Sequence, residues 1–402
     1  MNIPFSPPYI DDDVINEVVN TLKSGWITTG PKTNQLEKEL ENLSCVEKVL
    51  CVNSASSGLM AALNWFGVGI GDEVIIPAYT YAATALAVMH VGAKPIMADC
   101  NEDLTINDKE LYKLVTKNTK AIIPVDIGGL PCNYKNLKEF VMKPEVKGLF
   151  RPSSHQQECL GRILMLSDSA HSIGSTYCGK PAVLQSDFAV YSFHAVKNIT
   201  AAEGGAIVIN LPIPFCNTKV YNELKLDSLN GQTKDAYAKS KAGQWEYDIV
   251  RLGYKINLPD VLASIALAQI KIYQKKLLPK RRIICNLYDN NLKENTKFIL
   301  PTQIDVDRVS SYHLYPLLIE GIDKNQRDKL IQNLSNDGVG VNVHYKPLPA
   351  LTLFKENGFC LKNYPMARKC FEREISLPIH HNLSDCDIKR ISDLILSYSN
   401  RL

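Results

Sequence analysis

The chain of 402 residues carries 45 Lys and Arg against 42 Asp and Glu, and its net charge of +3 predicts no nucleic-acid partner. At 45% hydrophobic and 22% charged it has the composition of a globular enzyme, long enough for a large domain and a smaller one. Its eleven cysteines are scattered and never spaced C-x-x-C, which argues against zinc and disulfide frameworks and fits a reducing, cytoplasmic setting.

Met1–Pro8 has no basic region and no apolar core, so no signal peptide is expected. No apolar run approaches the roughly 20 residues that span a bilayer, and no membrane partner is expected. Residues 9–24 pair an acidic start with Val14, Ile15, Val18, Val19 and Leu22 at helical spacing. Ser24–Pro31 is a loop with Trp26 in it, and 33–44 is a second helix. Val49–Val52 reads as a strand, Asn53–Gly58 as a turn of small residues, and Leu59 onward as a helix. Small residues at a helix N-terminus let backbone N–H groups approach an anion. Further short apolar strands follow at 74–77, 94–99 and 121–125, with helical stretches between them. That alternation predicts a mostly parallel sheet with helices on its faces. Residues 143–161 are polar and irregular and read as an exposed insertion.

Two further buried strands carry the chemistry. Ile163–Leu166 leads into Asp168, and Phe188–Phe193 leads into Lys197. Each strand delivers an ionisable residue at or beyond its C-terminal end, the edge at which open α/β sheets bind ligands. A lysine forms a Schiff base with an aldehyde, and an aspartate pairs with a pyridinium nitrogen. The pair therefore suggests pyridoxal 5'-phosphate (PLP). Taken alone, such a pair is more often a salt bridge. Here Ser192 stands five residues before Lys197, His171 three after Asp168, and Glu203-Gly204-Gly205 follows.

Past residue 205, Ala206–Asn210 reads as a strand, and 217–247 is polar with few apolar anchors. A helix over 261–278 is followed by Lys280-Arg281-Arg282, a solvated charge run. Strands at 312–319 and 339–348 flank a helix over 324–337, and a last helix starts near Ser384. These predict a small C-terminal α+β domain over 261–402, after a PLP-binding domain over 1–260.

The stretch S-F-H-A-V-K-N-I-T-A-A-E-G-G, with S-D-S-A-H before it, resembles the nucleotide-sugar aminotransferases of the DegT/StrS type. The resemblance implies the α/β architecture of PLP fold type I and a homodimer with shared active sites. It implies that Lys197 holds PLP and acts as the general base, and that Asp168 pairs with the ring nitrogen. His171 would bond the phenolic oxygen, Ser56, Ser57 and Ser192 the phosphate, and Tyr81 would stack on the ring. The family's G-x-N-Y-R segment reaches a neighbouring subunit's phosphate. Here Lys255 and Asn257 occupy its Asn and Arg places, and which one makes the contact stays open. His313, His344 and Tyr345 are implied on the substrate side. The donor would be L-glutamate and the acceptor a nucleotide-linked keto sugar, with the 4-keto UDP type closest in motif. A PLP-dependent sugar dehydratase and a non-catalytic PLP-binding regulator are the alternatives, although related dehydratases carry histidine at the lysine position.

Overall fold

The strands fall where apolar runs are short and bounded by turn residues. The computed structural model describes residues 2–234 and 246–401. The large sheet is built from β1 (Lys48–Val52), β2 (Glu73–Pro77), β3 (Lys94–Ala98), β4 (Thr119–Ile122) and β5 (Leu164–Asp168). Two short strands, β6 (Thr176–Tyr177) and β7 (Lys180–Pro181), lie outside it, and β8 (Phe188–Ser192) and β9 (Gly205–Ile209) complete it. The order across this seven-stranded sheet is β1-β9-β8-β5-β4-β2-β3. Neighbours pair in parallel from β8 through β5, β4 and β2 to β3, and β9 pairs antiparallel with β8 and β1. The sheet is thus mostly parallel, and its strands are buried nearly throughout, as helices on both faces require.

Four helices follow from the same logic: α1 (Asp12–Lys23), α2 (Pro31–Ser44), α3 (Ala55–Trp65) and α4 (Ala82–His90). Asp11 caps α1 by accepting from the Val14 N–H, and Ser54 caps α3 by accepting from the Ser57 N–H. The loop between α1 and α2 is pinned by the buried carboxylate of Asp260. It accepts from the backbone N–H groups of Gly30, Lys32 and Thr33 at 2.8, 3.0 and 2.9 Å.

A second, three-stranded antiparallel sheet contains β10 (Phe298–Ile299), β12 (Tyr315–Ile319) and β13 (Glu374–Leu377). Its core draws on helices Leu278–Leu292, Lys324–Asn336 and Asp385–Ser399, and on Ile3 from the chain start. A small strand, β11 (Arg308–Val309), pairs with β6. The helix Asp260–Ile272 packs against α1 and α2, so the packing units exchange segments across residue 260.

Several expectations are corrected. Residues 143–161 are not irregular: they form helices Pro144–Leu149 and His155–Leu160. The second is anchored by Gln157, whose buried amide donates to the carbonyls of Phe66 and Gly67 at 3.1 Å. Arg281 does not lie in a solvated run. It is buried and donates to the carbonyls of Tyr312 and His313, because its helix runs on to Leu292 and turns that face inward. Residues 339–348 form no strand; only isolated bridges tie Val339 to Ile3 and Asn342 to Ser376. The polar stretch 217–247 begins as helix Asn217–Asp227, with Val220 and Leu224 buried, and its residues 235–245 lie outside the described part.

The glycine at the start of β9 shows how tightly the edge is built. Gly205 pairs with both Val52 and Ser192. A Cβ there would stand 2.6 Å from the Ala55 nitrogen and 2.8 Å from the Tyr191 oxygen. Both are backbone atoms that cannot swing aside. Gly205→Ala is therefore expected to cost about 1–3 kcal/mol, read as a lowered thermal unfolding midpoint.

Candidate active site

The strand ends and the loops after them meet at one edge of the large sheet. Val52 leads into Ser54–Ser57, Pro77 into Tyr81, β5 ends in Asp168, and β8 ends in Ser192 five residues before Lys197. β9 runs the other way, so its start brings Glu203 and Gly204 to the same edge. Between them lies a cavity of about 420 Å³, lined by Ser54, Ser56, Tyr81, Asp168, His171, Ser192, Lys197, His344 and Tyr345 among others.

Lys197 is half-buried by surface area, but its amine sits deep enough for desolvation to dominate. Burial lowers its pKa to about 8, partly offset by the charge of Asp168. Asp168 is fully enclosed, and burial pushes its carboxyl up. Bonds from Thr84 Oγ1 at 2.8 Å and the Ala170 N–H at 3.2 Å, together with Lys197, pull it back. Burial and Lys197 hold His171 well below the usual imidazole range, so the ring is neutral. Its Nδ1 accepts from the Gly128 N–H at 3.1 Å, which leaves the proton on Nε2. That proton faces the Tyr345 hydroxyl, 3.1 Å away.

The α3 N-terminus points its unpaired N–H groups toward this edge, an arrangement that suits a phosphate. Ser54 and Ser56 line the cavity. Ser57 turns toward Ser54, Oγ to Oγ 2.8 Å, and faces a neighbouring recess beside α4. The Tyr81 ring is 62% exposed and tilts against Tyr345 at 5.7 Å. Asp168, the serine turn and the lysine together fit a cofactor with an aldehyde, a basic ring nitrogen and a phosphate.

His313 does not line the cavity, contrary to expectation. It packs behind His171 with ring centres 4.4 Å apart, and its Nδ1 lies 2.9 Å from Asn198 Oδ1. Lys255 is exposed, and Asn257 bonds Thr29 Oγ1 of the α1–α2 loop at 2.5 Å; neither lines the cavity within this chain. Trp26 folds back on its own loop, donating to the Thr29 carbonyl. The sequence reading missed Thr84, although it lies one helical turn past Tyr81. It also missed Ser54, Asn198 and Phe5. Phe5 stacks on His344 at 5.4 Å, so the N-terminal segment reaches the cavity wall.

A family model described as the DegT/DnrJ/EryC1/StrS aminotransferase family matches residues 8–150 and 159–396. The chain belongs to this aminotransferase family. Residues 151–158, which the family model leaves unmatched, include the first part of the helix bearing Gln157. A DegT/StrS relative is the spore coat polysaccharide biosynthesis protein SpsC of Bacillus subtilis. It is 30% identical over 400 residues, covering 98% of this chain and 96% of the relative. An uncharacterized protein of Methanocaldococcus jannaschii is 34% identical, covering 96% and 95%. Among solved structures, Spr1654 of Streptococcus pneumoniae, a candidate sugar aminotransferase, superposes with TM-score 0.95 at 43% identity in its PMP form, with both chains fully covered. It is also known in a PLP form. PseC of Helicobacter pylori, an aminotransferase of pseudoaminic acid biosynthesis, has TM-score 0.85 at 27% identity, again with full coverage of both chains. DegT/StrS aminotransferases use PLP, and this chain is an aminotransferase of that PLP-dependent kind.

The lowered pKa makes a direct expectation. An amine reacts only when neutral, so acylation of Lys197 should be half-maximal at about pH 8. Exposed lysines titrate near pH ~10.4. Peptide mass spectrometry across a pH series reads the difference, and a Lys197 profile that matches the exposed lysines would contradict the burial.

Proposed function

We propose that the protein moves an amino group from L-glutamate to a nucleotide-linked keto sugar, with PLP as cofactor, in surface-polysaccharide or lipid-sugar biosynthesis. The observation that carries this is the half-buried, largely desolvated Lys197 sharing one cavity with Asp168 and the serine turn at the α3 N-terminus. Bound PLP supplies an electron sink that stabilises negative charge on the carbon next to the amine. Lys197 Nζ holds the cofactor and then, as a neutral amine, moves the proton between two carbons. Asp168 pairs with the ring nitrogen, and His171 offers its Nε2–H to the phenolic oxygen. Ser56 and Ser192 hold the phosphate at the α3 N-terminus, with Ser57 bracing the turn through Ser54, and Tyr81 stacks on the ring. His344 and Tyr345 face the sugar, while His313 supports His171 from behind. SpsC is a polysaccharide biosynthesis protein and Spr1654 bears the description of a sugar aminotransferase, which favours a sugar acceptor. The 4-keto UDP type is favoured by motif alone. All eleven cysteines are free thiols, which supports a cytoplasmic setting.

The protein works as a homodimer with shared sites. Ile15, Val19 and Leu22 form an exposed apolar stripe on α1, and Val250 and Leu252 are exposed beside Lys255. These surfaces suit a partner copy, which would bring Lys255 or Asn257 to the neighbouring phosphate.

Purified protein with PLP is expected to show a visible absorbance band that Lys197→Ala abolishes. L-Glutamate should bleach it, and a panel of keto-sugar nucleotides scored by product mass should restore it. A band that no amino donor bleaches would sink the aminotransferase and favour a regulator. Loss of a sugar hydroxyl without amination would favour a dehydratase.

The shared site has its own test. Lys197→Ala and Asn257→Ala are each expected to be impaired alone. Mixed and allowed to exchange subunits, they should recover activity toward about a quarter of wild type, since each mixed dimer holds one intact site. If the Asn257 mixture recovers nothing while Lys255→Ala complements, Lys255 makes the contact. No recovery with either would contradict sharing.

A further inference from the structure

Behind the cavity wall formed by His344 stands a short chain of polar groups that the aminotransferase chemistry leaves unused. Glu374 and Ser376 open β13 and are fully buried. Glu374 Oε2 accepts from the His344 backbone N–H at 2.8 Å. Glu374 Oε1 lies 2.5 Å from Ser376 Oγ, and Ser376 Oγ lies 2.8 Å from His344 Nδ1. Of the His344 ring nitrogens only Nδ1 is hydrogen-bonded among the described residues, and the ring lines the cavity.

Proton counting allows two arrangements. Burial and Lys197 lower the His344 pKa to about 3, so the ring is neutral and carries one proton. With Glu374 ionised, Ser376 donates to Oε1 and accepts from Nδ1–H, which leaves Nε2 a bare acceptor. With Glu374 protonated, the carboxyl donates to Ser376, Ser376 donates to Nδ1, and Nε2 carries the proton. The distances suit both directions.

We propose that Glu374, Ser376 and His344 form a proton relay linking a buried carboxyl to the cavity wall. In the outward direction one proton leaves at Nε2, Nδ1 takes the proton of Ser376, Ser376 takes that of Glu374, and Glu374 becomes a carboxylate. The inward direction reverses each step. Resting on the aminotransferase reading, the relay serves the acceptor sugar. Nε2–H donates to a sugar oxygen that gains charge, and bare Nε2 accepts from a hydroxyl while offering nothing to a carboxylate. Ser376 and Glu374 are then positioning residues acting through His344.

The surroundings set the working range. Arg327, Tyr79 and Tyr345 face Glu374, and Lys197, His171 and His313 face His344. Burial pushes the Glu374 carboxyl up to about 8, against the bonds from Ser376 and the His344 N–H and the charge of Arg327. The sign follows: below about pH 8 the carboxyl is protonated and Nε2 is the donor, and above it Nε2 is the acceptor.

Nitrogen NMR of His344 in the intact holoenzyme, assigned with His344→Gln, tests this directly. The tautomer is expected to reverse from Nε2–H to Nδ1–H as pH rises through about 8. Glu374→Gln should lock Nε2–H at every pH. Its amide oxygen is claimed by the His344 N–H, so its NH₂ points at Ser376. A wild-type tautomer that never changes, or a Glu374→Gln protein that still reverses, overturns the relay. Glu374→Gln should also remove one ionisation from the pH profile of kcat/KM for the acceptor sugar, and an unchanged profile overturns its part in the reaction. The NMR readout needs no turnover. A protein that L-glutamate never bleaches would therefore sink the functional reading while the relay is still decided by the tautomer.

Discussion

The parallel pairing of β5 with β8 is the constraint on which the site depends. Its register sets Leu166 opposite Phe188 and Asp168 opposite Val190. Two buried, largely apolar strands thus end side by side, and each leads to an ionisable group at the cavity. Isolated there, a carboxylate or an ammonium would be costly. Together they partly offset one another: burial drives Asp168 up and Lys197 down, and each charge resists the other's shift. The lysine that results has its pKa lowered to about 8, so near neutral pH it yields the neutral amine far more readily than an exposed lysine, as a nucleophile and base requires.

The rest of the edge is fitted to that pair. Thr84, from the first turn of α4, donates to Asp168 and keeps its carboxylate available. Gly205 lets the serine turn sit against β9 with no side chain between them. The cavity is closed from the other side by the C-terminal part of the chain, where the Tyr345 hydroxyl accepts from His171 Nε2–H and His344 is gripped by Glu374 and Ser376. Phe5 and Ser6 of the N-terminal segment bridge His344 and the Val196 carbonyl, beside Lys197. The cavity wall therefore draws on the N-terminal and C-terminal segments as well as on the edge of the large sheet.

The stretch 151–158, which the family model leaves unmatched, lies away from this edge. Its helix is held to the end of α3 by Gln157 and Ser154, away from the cavity.

The apolar runs at 163–166 and 188–193, the turn at 53–58 and the E-G-G at 203–205 determined the sheet and the cofactor edge from sequence alone. Strand burial and turn chemistry are local, and their order in the chain fixes which loops share an edge. The tertiary structure decided what no local pattern encodes. Arg281 reads as one of three exposed cations, yet it is buried because its helix continues to Leu292. His313 reads like His344, but stands behind the cavity because Asn198 and His171 claim its ring. Thr84, Glu374 and Ser376 gain their roles only across distances of 84, 30 and 32 residues to Asp168 and His344. A hydrogen bond between such positions depends on how segments distant in the chain pack together, which is a property of the whole core.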